Sequence, residues 1–218
     1  MTGFESAVAG PTDPLAGDAV FADHDGDGDT DLYVPVNVGG TARWHVRLAS
    51  SAAPGAYAGS PVNTGVARYG AGRVLEFDGD GRRDLLAQGP GSPATWFVHQ
   101  SNGTGAFLTA VNTGLTTATV PAPLVTDVDG DGLDDLVYAR DYLVHIRRNT
   151  GSGFGPELTT SVGTAINGGA TLLPVLAGAG GAPDFDGDGR QDLLIMRGNL
   201  SLSGPPWYYE GFLSTGTG

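Results

Sequence analysis

Four short segments of the chain place a carboxylate at nearly every second residue, a pattern suited to binding hard cations. They are DHDGDGDTDL at 23–32, EFDGDGRRDL at 76–85, DVDGDGLDDL at 127–136 and DFDGDGRQDL at 184–193, the first to fourth loops. Each has acids at positions 1, 3, 5 and 9 and glycines at positions 4 and 6. Carboxylates this close repel one another unless a cation neutralises them. Because Ca²⁺ takes oxygen ligands and glycine lets the chain wrap tightly, we expect about four calcium ions per chain.

An EF-hand or a magnesium site fits these loops less well than a calcium site of another kind. An EF-hand needs a glutamate at position 12 and flanking helices, whereas the flanks here resemble strands and position 12 is apolar or aromatic: Val34, Ala87, Tyr138 or Ile195. Mg²⁺ keeps several waters and rarely occupies an all-protein cage. The alternative for any single loop is a solvated acidic turn, and it applies most to the second loop, where the longer Glu76 replaces aspartate.

The loops mark an internal repeat that covers nearly the whole chain. They begin at residues 23, 76, 127 and 184, so the intervals are 53, 51 and 57 residues, in the range of propeller blades. Each loop is followed by an apolar run, an aromatic-bearing segment and a small-residue turn, and two units close with VNTG, at 62–65 and 111–114. This order predicts a four-stranded antiparallel blade.

The sequence therefore predicts an all-β fold, a single β-propeller domain over residues 1–218 with about four four-stranded antiparallel blades. The predicted repeats are 11–65, 66–114, 115–165 and 166–218. The fourth unit stops at STGTG, and residues 2–10 resemble its missing last strand. We expect pairing of these two ends to close the ring and remove an exposed edge. Closure within one chain and closure between chains are both open alternatives. A third is that the end of the sequence falls inside the fourth unit by chance.

Composition narrows the classes of function. The chain has a net charge of −13, which disfavours binding to nucleic acid, and all 11 of its cationic residues are arginines. It has no cysteine, so disulfides, thiolate metal sites and a cysteine nucleophile are excluded. It has no long apolar run, so no membrane insertion is expected. Residues 1–10 have neither a basic region nor an apolar block, so we expect no signal peptide within this chain.

The loops resemble the FG-GAP/VCBS repeats of calcium-binding β-propellers, the type found in integrin α-subunits and in some bacterial lectins. In that family the side chains at positions 1, 3, 5 and 9 and the carbonyl at position 7 bind the ion. The resemblance therefore implies these metal ligands: Asp23, Asp25, Asp27, Asp29 and Asp31; Glu76, Asp78, Asp80, Arg82 and Asp84; Asp127, Asp129, Asp131, Leu133 and Asp135; Asp184, Asp186, Asp188, Arg190 and Asp192. Family propellers usually have seven blades, so about four repeats leave the assembled state open.

Two further sets of residues recur in the repeats. One aromatic residue per unit is expected to pack in the core, or alternatively to stack on sugars: Trp44, Trp96, Tyr142 and Trp207. The histidines lie on different units, so packing or surface exposure is expected rather than a zinc site: His24, His45, His99 and His145.

Three classes of function compete. The first is a non-enzymatic calcium-binding scaffold or interaction module, in which calcium is structural. The second is a calcium-dependent, carbohydrate-binding lectin. The third is an enzyme, which no constellation of residues supports, since there is no G-x-S-x-G motif. We favour the first, with an extracellular or cell-surface location, a protein or glycan partner, and self-association through the incomplete blade.

Overall fold

The computed structural model describes residues 19–50, 52, 56–57, 59–120, 122–141, 143–163, 183–198 and 207–216. These residues form β-strands joined by turns and loops. The strands are β1 Val20–Ala22, β2 Asp31–Val38, β3 Thr41–Arg47, β4 Val62–Ala67, β5 Arg73–Leu75, β6 Asp84–Gly91, β7 Ala94–His99, β8 Val111–Thr116, β9 Leu124–Thr126, β10 Asp135–Arg140, β11 Leu143–Asn149, β12 Phe154–Gly163, β13 Leu193–Gly198 and β14 Trp207–Phe212. Over the same ranges, no helix is long and apolar enough to cross a membrane.

The strands pair in sequence order within each repeat. The first three repeats form four-stranded sheets in the orders β1-β2-β3-β4, β5-β6-β7-β8 and β12-β11-β10-β9, and the fourth contributes the pair β13-β14. Register pairs in the first, third and fourth sheets are antiparallel. The predicted all-β fold of antiparallel blades is therefore confirmed, with the acidic loop between the first and second strands. The strand predicted at 2–10 lies outside the described residues.

The second strand of each four-stranded sheet is buried along its first half. The apolar run after each of the first three acidic loops is therefore covered on both faces of the blade, which explains why apolar and polar residues do not alternate along it. In the first blade this strand then turns into β3 through Gly39 and Gly40, with φ of 60° and 85°. Positive φ at both central residues is typical of the tight hairpin turn that matches strand twist.

The described residues belong to two compact units. The first comprises Met1–Val74, Gly81–Pro90 and Phe97–Ala110, and the second comprises Leu75–Asp80, Gly91–Trp96 and Val111–Gly218. The core of the first unit contains Ala22, Tyr33, Trp44, Val46, Leu85 and Ala87. The core of the second unit contains Val137, Val144 and Ile195, with Leu124, Ile146, Leu193 and Phe212 packed against them.

The recurring tryptophans are core residues where the structure describes their side chains. Trp44 is fully buried and Trp96 is 1% exposed. The indole Nε1 of Trp96 donates to the carbonyl of Val120 at 2.9 Å. Packing is therefore confirmed for these two, and neither offers a face to a sugar. Trp207 lies on β14, and Tyr142 lies outside the described residues.

The histidines also pack inside the blades. His24, His45 and His145 are buried, and the His99 ring on β7 lies 5.8 Å from the ring of Phe107. Among the described residues, side chains close enough together to hold a metal ion form four groups. All of these groups consist of carboxylates and contain no histidine.

Burial of His99 is expected to make the stability of the protein depend on pH. Burial lowers the pKa of His99 to about 4, whereas an exposed imidazole titrates near 6.5. On acidification, His99 therefore binds a proton in the unfolded chain before it does so in the folded chain. Its contribution to the free energy of unfolding is fully present above pH 6.5 and is lost as the pH falls toward 4. Between pH 7.5 and pH 5, we expect the free energy of unfolding of His99→Leu to fall by about 2 kcal/mol less than that of the parent. The measurement is urea unfolding of both proteins in calcium, and equal losses would contradict the assignment.

Candidate metal centres

The first residue of each acidic loop organises the loop backbone. In the first loop, Asp23 accepts the N–H of Gly26 at 2.7 Å and that of Gly28 at 2.9 Å. The same two bonds recur in the third and fourth loops, from Gly130 and Gly132 to Asp127 and from Gly187 and Gly189 to Asp184. In the second loop Glu76 accepts the N–H of Gly79 at 3.0 Å. The four loops therefore share one fold, with glutamate accommodated in the second.

The glycines at positions 4 and 6 adopt a backbone conformation that other residues avoid. Gly26 and Gly28 have φ of 78° and 90°. The corresponding pairs are close to these values: Gly79 and Gly81, Gly130 and Gly132, Gly187 and Gly189. Side chains with a Cβ rarely adopt such positive φ. Glycine at positions 4 and 6 is therefore what the observed backbone of these loops requires.

The loop fold gathers carboxylates into four groups. Within each group, one ligand atom per residue lies within 4.8 Å of the others. The groups are Asp23, Asp25 and Asp27; Glu76, Asp78 and Asp80; Asp127, Asp129 and Asp131; Asp184, Asp186 and Asp192. Positions 1, 3 and 5 therefore converge in the first three loops, and positions 1, 3 and 9 converge in the fourth. Such a set of hard oxygen donors fits Ca²⁺.

Crowding of these carboxylates has an electrostatic cost. Partial burial, followed by the neighbouring charge of Asp27, raises the pKa of Asp25. The pKa of Asp129 is raised in the same way, by burial and by Asp131. A raised pKa means that the surroundings disfavour the charged form. A bound dication would reverse this effect, because it would stabilise the ionised carboxylates.

The aspartate at position 9 also fastens its loop to the end of a blade strand. Asp31 accepts the N–H of His24 at 2.7 Å and that of Ala49 at 2.6 Å. Asp135 and Asp192 make the same two kinds of bond, to Val128 and Asn149 and to Phe185 and Ser214. Burial raises the pKa of Asp135 to about 7. Sequence reasoning assigned position 9 to metal binding alone and missed this structural bond, because its partner lies on a distant strand.

Arginine side chains pair with carboxylates of the third and fourth loops. Arg148 lies 3.4 Å from Asp129, and Arg190 binds Asp188 within the fourth loop. The fourth loop also brings a different set of carboxylates together. Asp192, at position 9, joins the residues at positions 1 and 3, whereas the residue at position 5 joins them in the first three loops. The carbonyl ligands at position 7 remain predictions from the resemblance: Asp29, Arg82, Leu133 and Arg190.

Backbone hydrogen bonds join successive loops. In the first unit, the N–H of Arg83 donates to the carbonyl of Asp23 at 2.7 Å. In the second unit, equivalent 2.8 Å bonds run from Asp134 to Glu76 and from Gln191 to Asp127. Position 8 of one loop thus meets position 1 of the loop before it. No sequence pattern indicates this contact, because the residue types at position 8 differ.

The second residue of a loop inserts into the following repeat. His24 and Phe77 are fully buried, and their rings lie 5.5 Å from Phe107 and 5.6 Å from Phe154. The carbonyls of these two residues accept hydrogen bonds from Ser101 Oγ at 2.5 Å and from Asn149 Nδ2 at 2.9 Å. We call this arrangement the ring contact, made by a loop's second residue and the aromatic residue of the next repeat.

His24 makes the ring contact as a neutral imidazole. Burial, followed by the charge of Arg82, lowers the pKa of His24 to about 4. Its Nε2 accepts the N–H of Gly105 at 3.0 Å, so its Nδ1 donates to the Tyr33 hydroxyl at 2.8 Å. That hydroxyl donates in turn to the carbonyl of Arg83 at 2.6 Å. The polar atoms of this buried ring are therefore satisfied, as in a packing residue.

Comparisons with known proteins bear on the fold. A lectin from Agrocybe aegerita, which specifically recognises non-reducing terminal N-acetylglucosamine, matches with a TM-score of 0.60 and 21% identity, over 81% of this chain and 46% of the lectin chain. The Photorhabdus luminescens Tc holotoxin pore matches with a TM-score of 0.49 and 16% identity, over 93% of this chain and 12% of that chain. This chain thus spans less than half the length of either protein. No curated protein matches it.

The likeness to the lectin shows a β-propeller-like fold, and the family follows from the repeat itself. A model of the FG-GAP-like repeat matches residues 77–138 and 127–195. Together these matches run from 77 to 195, more than half of the 218 residues. They include the whole of the third and fourth loops and all but the first residue of the second. The chain therefore belongs to the FG-GAP-like repeat family.

Proposed function

We propose that this protein is a non-enzymatic β-propeller module that binds calcium, with a structural ion in the acidic loop of each blade. The observation that carries the proposal is the convergence of three carboxylates in each of four loops. The carboxylates would hold the ion, and the ion would supply positive charge that offsets their repulsion. Because metal bound only by the folded chain contributes to folding free energy, calcium would stabilise the blades.

A single pair of variants in the first loop tests the proposed ligands. Asp25→Asn removes a charge from the converging group, whereas Asp29→Asn removes the same charge from position 7, which is proposed to bind only through its carbonyl. We expect native mass spectrometry in calcium to count four ions on the parent, three on Asp25→Asn and four on Asp29→Asn. An unchanged count for Asp25→Asn, or a parent with no bound ions, would contradict the proposal.

The absence of catalysis is part of the same proposal and rests on the sequence. The chain has no thiol and no G-x-S-x-G motif, and the carboxylates are assigned to ion binding. An extracellular or cell-surface setting suits this assignment, because calcium modules there bind at the high calcium concentrations outside cells. The protein or glycan that such a module would engage stays open.

Calcium-dependent carbohydrate binding is the alternative function. The chain shares its fold with the Agrocybe aegerita lectin, but two of the four aromatic residues proposed as stacking platforms, Trp44 and Trp96, are buried. These two residues therefore give no support to the lectin alternative. Binding to a glycan array in millimolar calcium is the measurement that would establish it.

A further inference from the structure

Residues equivalent to both members of the ring contact occur at two further places in the chain. The fourth loop has an equivalent of the inserting residue, and the first blade has an equivalent of the receiving aromatic residue. Phe185 is the second residue of the fourth loop and is 52% exposed, whereas His24 and Phe77 at the same position are fully buried. Its backbone N–H is already held by Asp192 at 2.7 Å, as that of His24 is held by Asp31. The fourth loop therefore presents the inserting ring in the geometry used inside the chain, with half of its surface open.

The receiving half is Tyr57 in the first blade. Tyr57 forms a bridge with Ala49, as Phe107 does with Ser101, and as Phe154 pairs with Asn149. Tyr57 thus occupies the position of the aromatic residues that receive His24 and Phe77. Thr30, the eighth residue of the first loop, is exposed. It matches Arg83, whose N–H bonds to the preceding loop.

We propose that a second copy of this chain completes the ring contact, so that Phe185 of one copy packs against Tyr57 of the other. The exposed half of the Phe185 ring is available to a partner, and the two internal ring contacts specify what that partner must present. The backbone bond that accompanies each internal contact would run from Thr30 N–H of one copy to the carbonyl of Asp184 of the other. Two such contacts, related by a twofold axis, make a closed dimer.

The contact between copies is weaker than the internal ones. Ser101 and Asn149 donate side-chain hydrogen bonds to the carbonyl of the inserted residue. Ala49 stands at their position in the first blade and has no side-chain donor to offer. The association therefore depends on the two aromatic rings and the backbone bond, and it is reversible at low protein concentration.

Oligomeric state provides the first test. In calcium, light scattering after size-exclusion chromatography should give twice the chain mass for the parent at micromolar concentration. Phe185→Ser and Tyr57→Ser should each raise the dimer dissociation constant at least tenfold. Tyr69→Ser is the matched control, because Tyr69 is an aromatic residue with 53% exposure outside the contact, and it should leave the dimer intact. A monomeric parent, or a dimer that survives both contact variants with unchanged affinity, overturns the proposal.

Cross-linking distinguishes a second copy from the same chain. Since the protein has no cysteine, Tyr57→Cys and Phe185→Cys each introduce a single thiol. A mixture of the two variants, treated with a short bis-maleimide, should give a covalent dimer that contains one chain of each kind. Because the double variant lacks both rings, it should dimerise more weakly than the parent, giving covalent dimers only at concentrations well above the parent's dissociation constant and losing them on dilution before treatment. A cross-link confined within single chains of the double variant overturns the proposal. Circular dichroism of every variant confirms that it remains folded.

Discussion

Removing calcium is expected to lower the midpoint of thermal unfolding by roughly 20–40 °C. An ion present at a hundred times its dissociation constant stabilises a folded protein by about 2.7 kcal/mol per site. In a domain of this size, each kcal/mol shifts the midpoint by roughly 2–4 °C. Four loops acting together therefore produce a large shift. Relief of the repulsion among the carboxylates, which the raised pKa values of Asp25 and Asp129 indicate, is already part of this binding free energy.

The experiment is differential scanning calorimetry in calcium and in excess chelator, at matched ionic strength. Returning calcium after chelation should restore the midpoint, whereas magnesium should restore little of it, because Mg²⁺ demands a tight octahedral site. Asp29→Asn serves as the variant control and should respond to chelator as the parent does. A midpoint that chelator leaves unmoved would rule out structural calcium.

Replacing Trp96 by alanine is expected to destabilise the fold by about 4 kcal/mol. The side chain is 1% exposed, so its removal leaves a cavity and loses the contacts of the largest side chain type. The substitution also leaves the carbonyl of Val120 without the bond from the indole Nε1. Val120 is itself 1% exposed, so water does not readily replace that bond. Urea unfolding in calcium measures the loss.

Trp44 offers a matched comparison that separates packing from hydrogen bonding. It is buried like Trp96, but its Nε1 has no hydrogen-bond partner among the described residues. Trp→Phe removes similar volume at both sites, and only at Trp96 does it break a bond. We expect Trp96→Phe to cost about 1–2 kcal/mol more than Trp44→Phe. Equal costs would mean that the indole bond to Val120 contributes nothing.

Residue types with a local role could be predicted from the sequence. The glycines at positions 4 and 6 indicate positive φ, because few other residues tolerate it. The apolar runs after the loops predict buried second strands, and the spacing of the loops predicts the blades. The carboxylates at positions 1 and 3 converge as expected in all four loops. Apart from the loop spacing, which shows as a repeat along the sequence, these features arise within about ten residues, so the local sequence is enough to predict them.

Features that join distant segments could not be predicted in the same way. Asp135 accepts the N–H of Asn149, a backbone donor that any residue type except proline would supply. His24 lies at the variable second position of its loop, where the sequence sets no requirement, yet its ring is buried beside Phe107. The pairing of Arg190 with Asp188 in the fourth loop depends on a side-chain rotamer. Contacts of these kinds leave no periodic trace in a single sequence.

The backbone bond between successive loops has a consequence for how such a chain evolves. Its donor is the N–H of the eighth residue and its acceptor is the carbonyl of the first residue of the loop before it, so no side chain is required. The eighth residues Arg83, Asp134 and Gln191 accordingly differ in size and charge. A duplicated repeat carries both the donor and the acceptor, so it can join its neighbours without new compensating substitutions. This bond therefore places no requirement on residue type when whole repeats are duplicated or deleted.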